Sequence, residues 1–154
     1  MGLDMYLNTK RYMSKYLDPA DEQLVDAVNE LFGIKGDAEN DFGAVEVTFR
    51  VGYWRKANSI HQWFVKNVQH GEDDCREYRV ARKQLQELVD LCKVILADRT
   101  KADDLLPTQS GFFFGGTDYD DWYFQDLEYT VERLEKVLAD PAFEKNDFYY
   151  QSSW

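Results

Sequence analysis

Hydrophobic and polar positions along the chain repeat with a period of two in some stretches and of three to four in others. Leu3, Met5 and Leu7 alternate with Asp4 and Tyr6, which predicts a half-buried first strand. Val45, Val47, Phe49 and Val51 alternate with Glu46, Thr48 and Arg50, the clearest strand signal, with one wet face. Between them, Asp18-Pro19 supplies a capping side chain followed by a proline suited to a first helical position. Leu24, Ala27, Val28 and Leu31 then recur at helical spacing as far as Gly33, so a helix is expected over 19–32. The polar stretch from Gly36 to Gly43 reads as an exposed loop.

A second helix is expected from about Trp54 to Val68, closed by His70-Gly71. A third, over 81–97, carries Leu85, Leu88, Val89, Cys92, Ile95 and Leu96 on one side. Both are amphipathic and are expected to pack on the sheet. Pro107 prevents a helix from continuing through Leu105-Leu106, and Phe112-Phe113-Phe114 between glycines suggests a short buried strand. A last helix over 119–138 places Tyr123, Phe124, Leu127, Val131, Leu134 and Leu138 together, and Phe148-Tyr149-Tyr150 adds a closing strand. The pattern predicts a single α+β domain over 1–154, a mixed or antiparallel sheet covered by about four helices.

Composition narrows the function classes. With 154 residues, 44% hydrophobic and 16% aromatic, the chain has enough apolar surface for one core. Its formal charge of −11 repels duplex DNA, RNA and anionic lipid, so direct nucleic-acid binding is not expected. A surface this acidic can imitate a phosphate backbone for a basic protein, although solubility alone also accounts for it. No apolar run approaches membrane-spanning length, and the opening Met1–Tyr6 has no basic stretch before an apolar one, so the expected location is the cytoplasm. Cys75 and Cys92 have neither zinc-like spacing nor disulfide density, and Cys92 is expected to be a buried thiol. No cofactor is expected.

Candidate chemistry centres on two polar segments. His61 falls inside the apolar arc of helix two, with Asn58 at its border; it reads either as a core histidine satisfied by neighbours or as a pocket histidine. No second metal-type ligand stands at a useful spacing, so no metal site is expected. Arg55 and Lys56, read as the first turn of that helix, oppose its dipole and answer either to an anionic ligand or to acidic neighbours. Thr108, Gln109 and Ser110 concentrate hydroxyl and amide groups between two apolar stretches; the loop lacks a phosphate-loop pattern and reads equally as a rigid turn leading into a strand. Asp118, Asp120 and Asp121 fail the calcium-loop pattern and read as acids at a helix start. Trp63, Trp122 and Tyr129 lie opposite the apolar arcs, as interface anchors or as covers for the same fold.

Several strings occur together: Met1-Gly2-Leu3-Asp4-Met5-Tyr6-Leu7, then Gly52-Tyr53-Trp54-Arg55-Lys56-Ala57-Asn58 followed by Ile60–Val65, then Leu105–Gly115, then Ser152-Ser153-Trp154. Nearly the whole chain resembles a family of small, uncharacterised proteins encoded by bacteriophages and prophages. That resemblance implies an accessory protein acting in the host-cell cytoplasm and supplies no catalytic residues. The leading expectation is a non-catalytic binding protein that captures a nucleotide-like or phosphorylated small molecule, or blocks a host defence protein. Its site would join Trp54, Arg55, Asn58 and His61 to Thr108, Gln109 and Ser110. The alternatives are a hydrolase or transferase using His61 as general acid or base, and an acidic DNA mimic. A homo-oligomer formed through Trp63, Trp122 or Tyr129 is compatible with each.

Overall fold

The computed structural model describes residues 2–37 and 39–154. In chain order the elements are β1 (Asp4–Ser14), α1 (Glu22–Phe32), β2 (Ala44–Arg55), α2 (Asn58–Asn67), β3 (Tyr78–Val80), α3 (Arg82–Ala97), α4 (Ala102–Leu105), α5 (Asp121–Ala139) and β4 (Asp147–Ser153). The fold is α+β, with an antiparallel sheet in the order β2-β1-β4-β3. The chain divides into two compact units, one comprising residues up to Thr9 with Arg50–Trp154, the other Lys10–Phe49.

In the larger unit, alternation along the strands decides what is buried. Leu3, Met5 and Leu7 of β1 are fully enclosed while Asp4 and Tyr6 between them are half-buried, and Phe148, Tyr150 and Ser152 repeat this on β4. β3 pairs with β4 through Tyr78↔Tyr150 and Val80↔Phe148. Phe64 of α2 lies flat on Tyr150, ring centroids 3.9 Å apart and 5° from parallel. Helix α3 packs against α5, and its residues Leu85, Leu88, Cys92 and Ile95 join Leu127 and Leu134 in one apolar cluster. Burial pushes the Cys92 thiol up to about 12, as an apolar surrounding disfavours the thiolate.

The smaller unit is held differently. The carboxylate of Asp21, just ahead of α1, receives the Arg11 guanidinium at 3.0 Å and the Ser14 N–H at 3.4 Å, and Lys15 pairs with Asp41 at 3.0 Å. Gly33 ends α1 in the left-handed conformation, φ 66°, where its N–H returns to the helix carbonyls. Among the described residues of this unit, Met13 and Val25 are the buried hydrophobic side chains, while Leu24, Leu31 and Phe32 of α1 stay exposed.

Three expectations are corrected. Helix two begins at Asn58, not Trp54: Trp54 and Arg55 continue β2, and Lys56 turns the chain with a positive φ of 60° before the helix starts. Arg55 and Lys56 therefore stand at a strand end and not in a helical first turn. The Phe112–Phe114 stretch is a turn and not a buried strand: Phe112 is 95% exposed, Phe114 N–H folds back to Gly111 O, and Phe114 O is taken by the Asn58 side chain. Trp63 is buried in the apolar cluster, set edge-on to Phe64, so it is not an exposed anchor.

Candidate functional site

Asn58, the first residue of α2, organises the site. Its side-chain N–H groups donate to the carbonyls of Phe114 at 3.0 Å and Gly116 at 2.8 Å, and its carbonyl oxygen accepts the Gln109 N–H at 2.9 Å. One buried amide thereby ties the 107–116 loop to the helix start, so the two polar segments converge. Further bonds fix the loop from its other sides. Leu3 N–H donates to Phe113 O, Thr108 Oγ1 donates to Thr117 O at 2.9 Å, and Thr108 N–H donates to the Tyr119 hydroxyl at 3.3 Å. Gly115, at φ 88°, lets the backbone pass Lys56, whose Cβ would stand 3.2 Å from any added methyl.

Beside this junction lies a cavity of about 300 Å³. One wall is Arg55 and Lys56, another is Asn58, Ser59 and Thr108 with Gly115 and Gly116, and the third comes from α5 and its approach: Asp118, Asp120, Trp122, Tyr123 and Asp126. Neither Arg55 nor Lys56 forms an ion pair with a described residue. Three carboxylates, Asp118, Asp120 and Asp126, share the cavity with them, and of these Asp120 is engaged as the cap of α5. Lys56 also holds a left-handed backbone, a conformation that costs a non-glycine residue roughly 1 kcal/mol.

The acidic wall has two roles. Asp120 caps α5, its carboxylate accepting the Tyr123 N–H at 3.1 Å, and Asp121 follows in the first turn, as expected for acids at a helix start. Asp126, one turn further in, is a different case. Burial, reinforced by the charge of Asp120, pushes its carboxyl up to about 7. A carboxyl near 7 offers a donor and an acceptor in the same pH range, which suits it to hydrogen-bonding a ligand. Sequence reasoning missed Asp126, although the signal was present: it follows Tyr123 by three and precedes Thr130 by four, so it sits on the buried side of α5. Trp122, 74% exposed, lines the same cavity with its ring open to solvent.

The other expected site residues lie elsewhere. Trp54 is buried, its indole N–H donates to Thr130 Oγ1 at 2.9 Å, and its ring meets Tyr129 edge-on. Tyr129 is half-buried and its hydroxyl accepts the Tyr53 N–H. Gln109 and Ser110 belong to the loop without lining the cavity. His61 is fully enclosed: Nδ1 meets the Tyr150 hydroxyl at 2.7 Å, Nε2 meets Asp73 Oδ2 at 3.0 Å, and Phe114 stands edge-on at 5.2 Å. Burial, then the charge of Asp73, holds the Tyr150 phenol well above its ordinary value. In the neutral ring the phenol donates to Nδ1, which leaves Nε2–H for Asp73, and Asp73 also accepts the Trp154 indole N–H at 3.1 Å. His61 is thus a core histidine satisfied by its neighbours.

Among the described residues no group of three or more His, Cys, Asp or Glu is placed to hold a metal ion, and no helix is long and apolar enough to cross a membrane. No protein-family model, no curated protein and no solved structure matches the chain.

Proposed function

We propose that the chain is a non-catalytic binding protein whose cavity takes a small phosphorylated, nucleotide-like molecule. The observation that carries this reading is the pair of cations, Arg55 and Lys56, left without ion-pair partners on a cavity wall of a chain whose formal charge is −11. Arg55 and Lys56 form one wall of a cavity whose opposite wall carries Asp118, Asp120 and Asp126, so an anion would be held by direct charge-assisted hydrogen bonds to the cationic wall and not by the cavity's net charge. Trp122 offers an open ring for stacking a planar group, taking the role expected of Trp54, and Asp126 offers hydrogen bonds to ring or hydroxyl groups. A host cytoplasm is the setting that the resemblance to phage-encoded proteins implies, and there sequestering a phosphorylated signal would blunt a defence response. Catalysis through His61 has no support, because both ring nitrogens are engaged and the ring does not reach solvent.

Isothermal titration of the full chain against mononucleotides, dinucleotides and cyclic dinucleotides tests the proposal. One or more should bind, and Arg55→Ala should weaken binding by about tenfold or more, the loss of a charge-assisted hydrogen bond. No heat from any member of the panel, or an unchanged Arg55→Ala, rules the reading out.

A further inference from the structure

The smaller unit carries a second surface, remote in character from the polar cavity. Leu17, Leu31 and Phe32 are 77%, 79% and 73% exposed, and Leu24, Ile34 and Phe42 are 42%, 43% and 50% exposed. Large apolar side chains left in water in this number within one short unit call for an explanation. All six fall within Lys10–Phe49. On α1 the exposed Leu24, Ala27 and Leu31 follow one another at steps of three and four, a stripe one helix presents to another.

A second stripe on the same helix is Glu22, Asp26 and Glu30, all exposed and none in an ion pair with a described residue. Between Lys10 and Phe49 the chain carries nine Asp or Glu against four Lys or Arg, and two of those cations, Arg11 and Lys15, are already occupied by Asp21 and Asp41. The carboxylate stripe lies to one side of the apolar stripe on the exposed half of the helix, and such a surface repels a second copy of itself. It complements a partner whose apolar side chains recur at helical spacing beside a cationic edge.

We propose that the apolar stripe of α1 docks a basic amphipathic helix of a partner protein. The leucines supply the burial and the carboxylate stripe supplies orientation and encounter rate, so binding weakens with salt.

The test is titration of the full chain with a fluorescent helical peptide of leucines and lysines in amphipathic order, beside a leucine and glutamate peptide of the same apolar pattern. The lysine peptide should bind one to one and the glutamate peptide should not. Leu24→Ser with Leu31→Ser should weaken binding by about tenfold or more, as each buried leucine is lost from the interface. Glu22→Gln, Asp26→Asn and Glu30→Gln together should weaken binding and flatten its salt dependence. All five positions are exposed, so melting temperatures should stay near that of the parent and report that each variant is folded. The proposal is overturned if the serine variant binds the lysine peptide as the parent does, since general acidity would then explain the attraction. It is equally overturned if the glutamate peptide binds as well, or if the chain alone sediments as a dimer that the serine variant dissociates.

Discussion

Helices α1 and α3 have similar sequence patterns and opposite fates. Apolar residues recur at 24, 28 and 31 on α1 and at 85, 88, 92 and 95 on α3, yet the four on α3 are fully enclosed while Leu24 and Leu31 stay exposed. The difference lies in what each unit offers. The larger unit sets α3 against α5 and surrounds both with strand residues from β1 and β4, whereas the smaller unit buries only Met13 and Val25 among its described hydrophobics. Periodicity makes a helix amphipathic; a facing apolar surface must be present to bury it, and a unit as short as Lys10–Phe49 has little to give.

The sharpest probe of this contrast is a truncation on the enclosed side. Leu88→Ala leaves a hole between packed neighbours and should lower unfolding free energy by about 2–5 kcal/mol, read from the midpoint of a urea titration. A loss under about 1 kcal/mol would mean that the α3 cluster is loosely packed and that the two helices differ less than their exposure indicates.

A smaller effect is expected at Asp126, where a charge sits on the buried side of α5. Its folded value of about 7 lies above the ordinary 3.8, so the folded state holds the proton more tightly than the unfolded chain does. Stability from this group is therefore fully present below about pH 4 and is lost as pH rises through about 7. Asp126→Asn removes that loss. Allowing for its partial exposure, the variant should gain on the order of 1 kcal/mol at about pH 8 and nothing at about pH 4, seen as thermal melting curves that converge in acid. A constant offset across that range would show that the substitution acts through packing and not through the proton.

Much of the fold was legible because period-two and period-three-to-four patterns report directly on which face is buried. α3 follows its pattern closely and β4 appears where Phe148–Tyr150 is aromatic, whereas β2 forms where its alternation lies but leaves Val45 and Val47 half-buried and Phe49 exposed. β1 runs on to Ser14, beyond the Leu3–Leu7 alternation, because polar residues such as Asn8 and Lys10 pair their backbones without adding an apolar period. The start of α2 was misplaced for a related reason: Trp54 suits either a strand or a helix by hydrophobicity, and the left-handed turn at Lys56 that separates them leaves no mark in residue type. At the site, the meeting of Asn58 with the 107–116 loop was anticipated. Arg55, Asn58 and Thr108 line its cavity as expected, but the wall from α5 was not legible, because the contribution of Trp122 and Asp126 depends on where α5 lands. His61 shows the converse, since its place in the apolar arc was readable while the Asp73 and Tyr150 that satisfy it come from distant sequence.

The smallest expected effect falls on α1. Leu31 is 79% exposed and presents its side chain to water in the folded chain, so Leu31→Ala removes little burial and leaves no cavity. Alanine is also the stronger helix former by a few tenths of a kcal/mol, and that gain works against whatever contact is lost. The two terms should leave stability within about ±0.5 kcal/mol of the parent. The same urea titration used for Leu88→Ala measures it, with the parent in parallel. A loss comparable to that at Leu88 would show that Leu31 is buried in solution, by its own chain or by another. Because burial by another copy depends on protein concentration and burial within one chain does not, repeating the titration over a wide range of concentration separates the two.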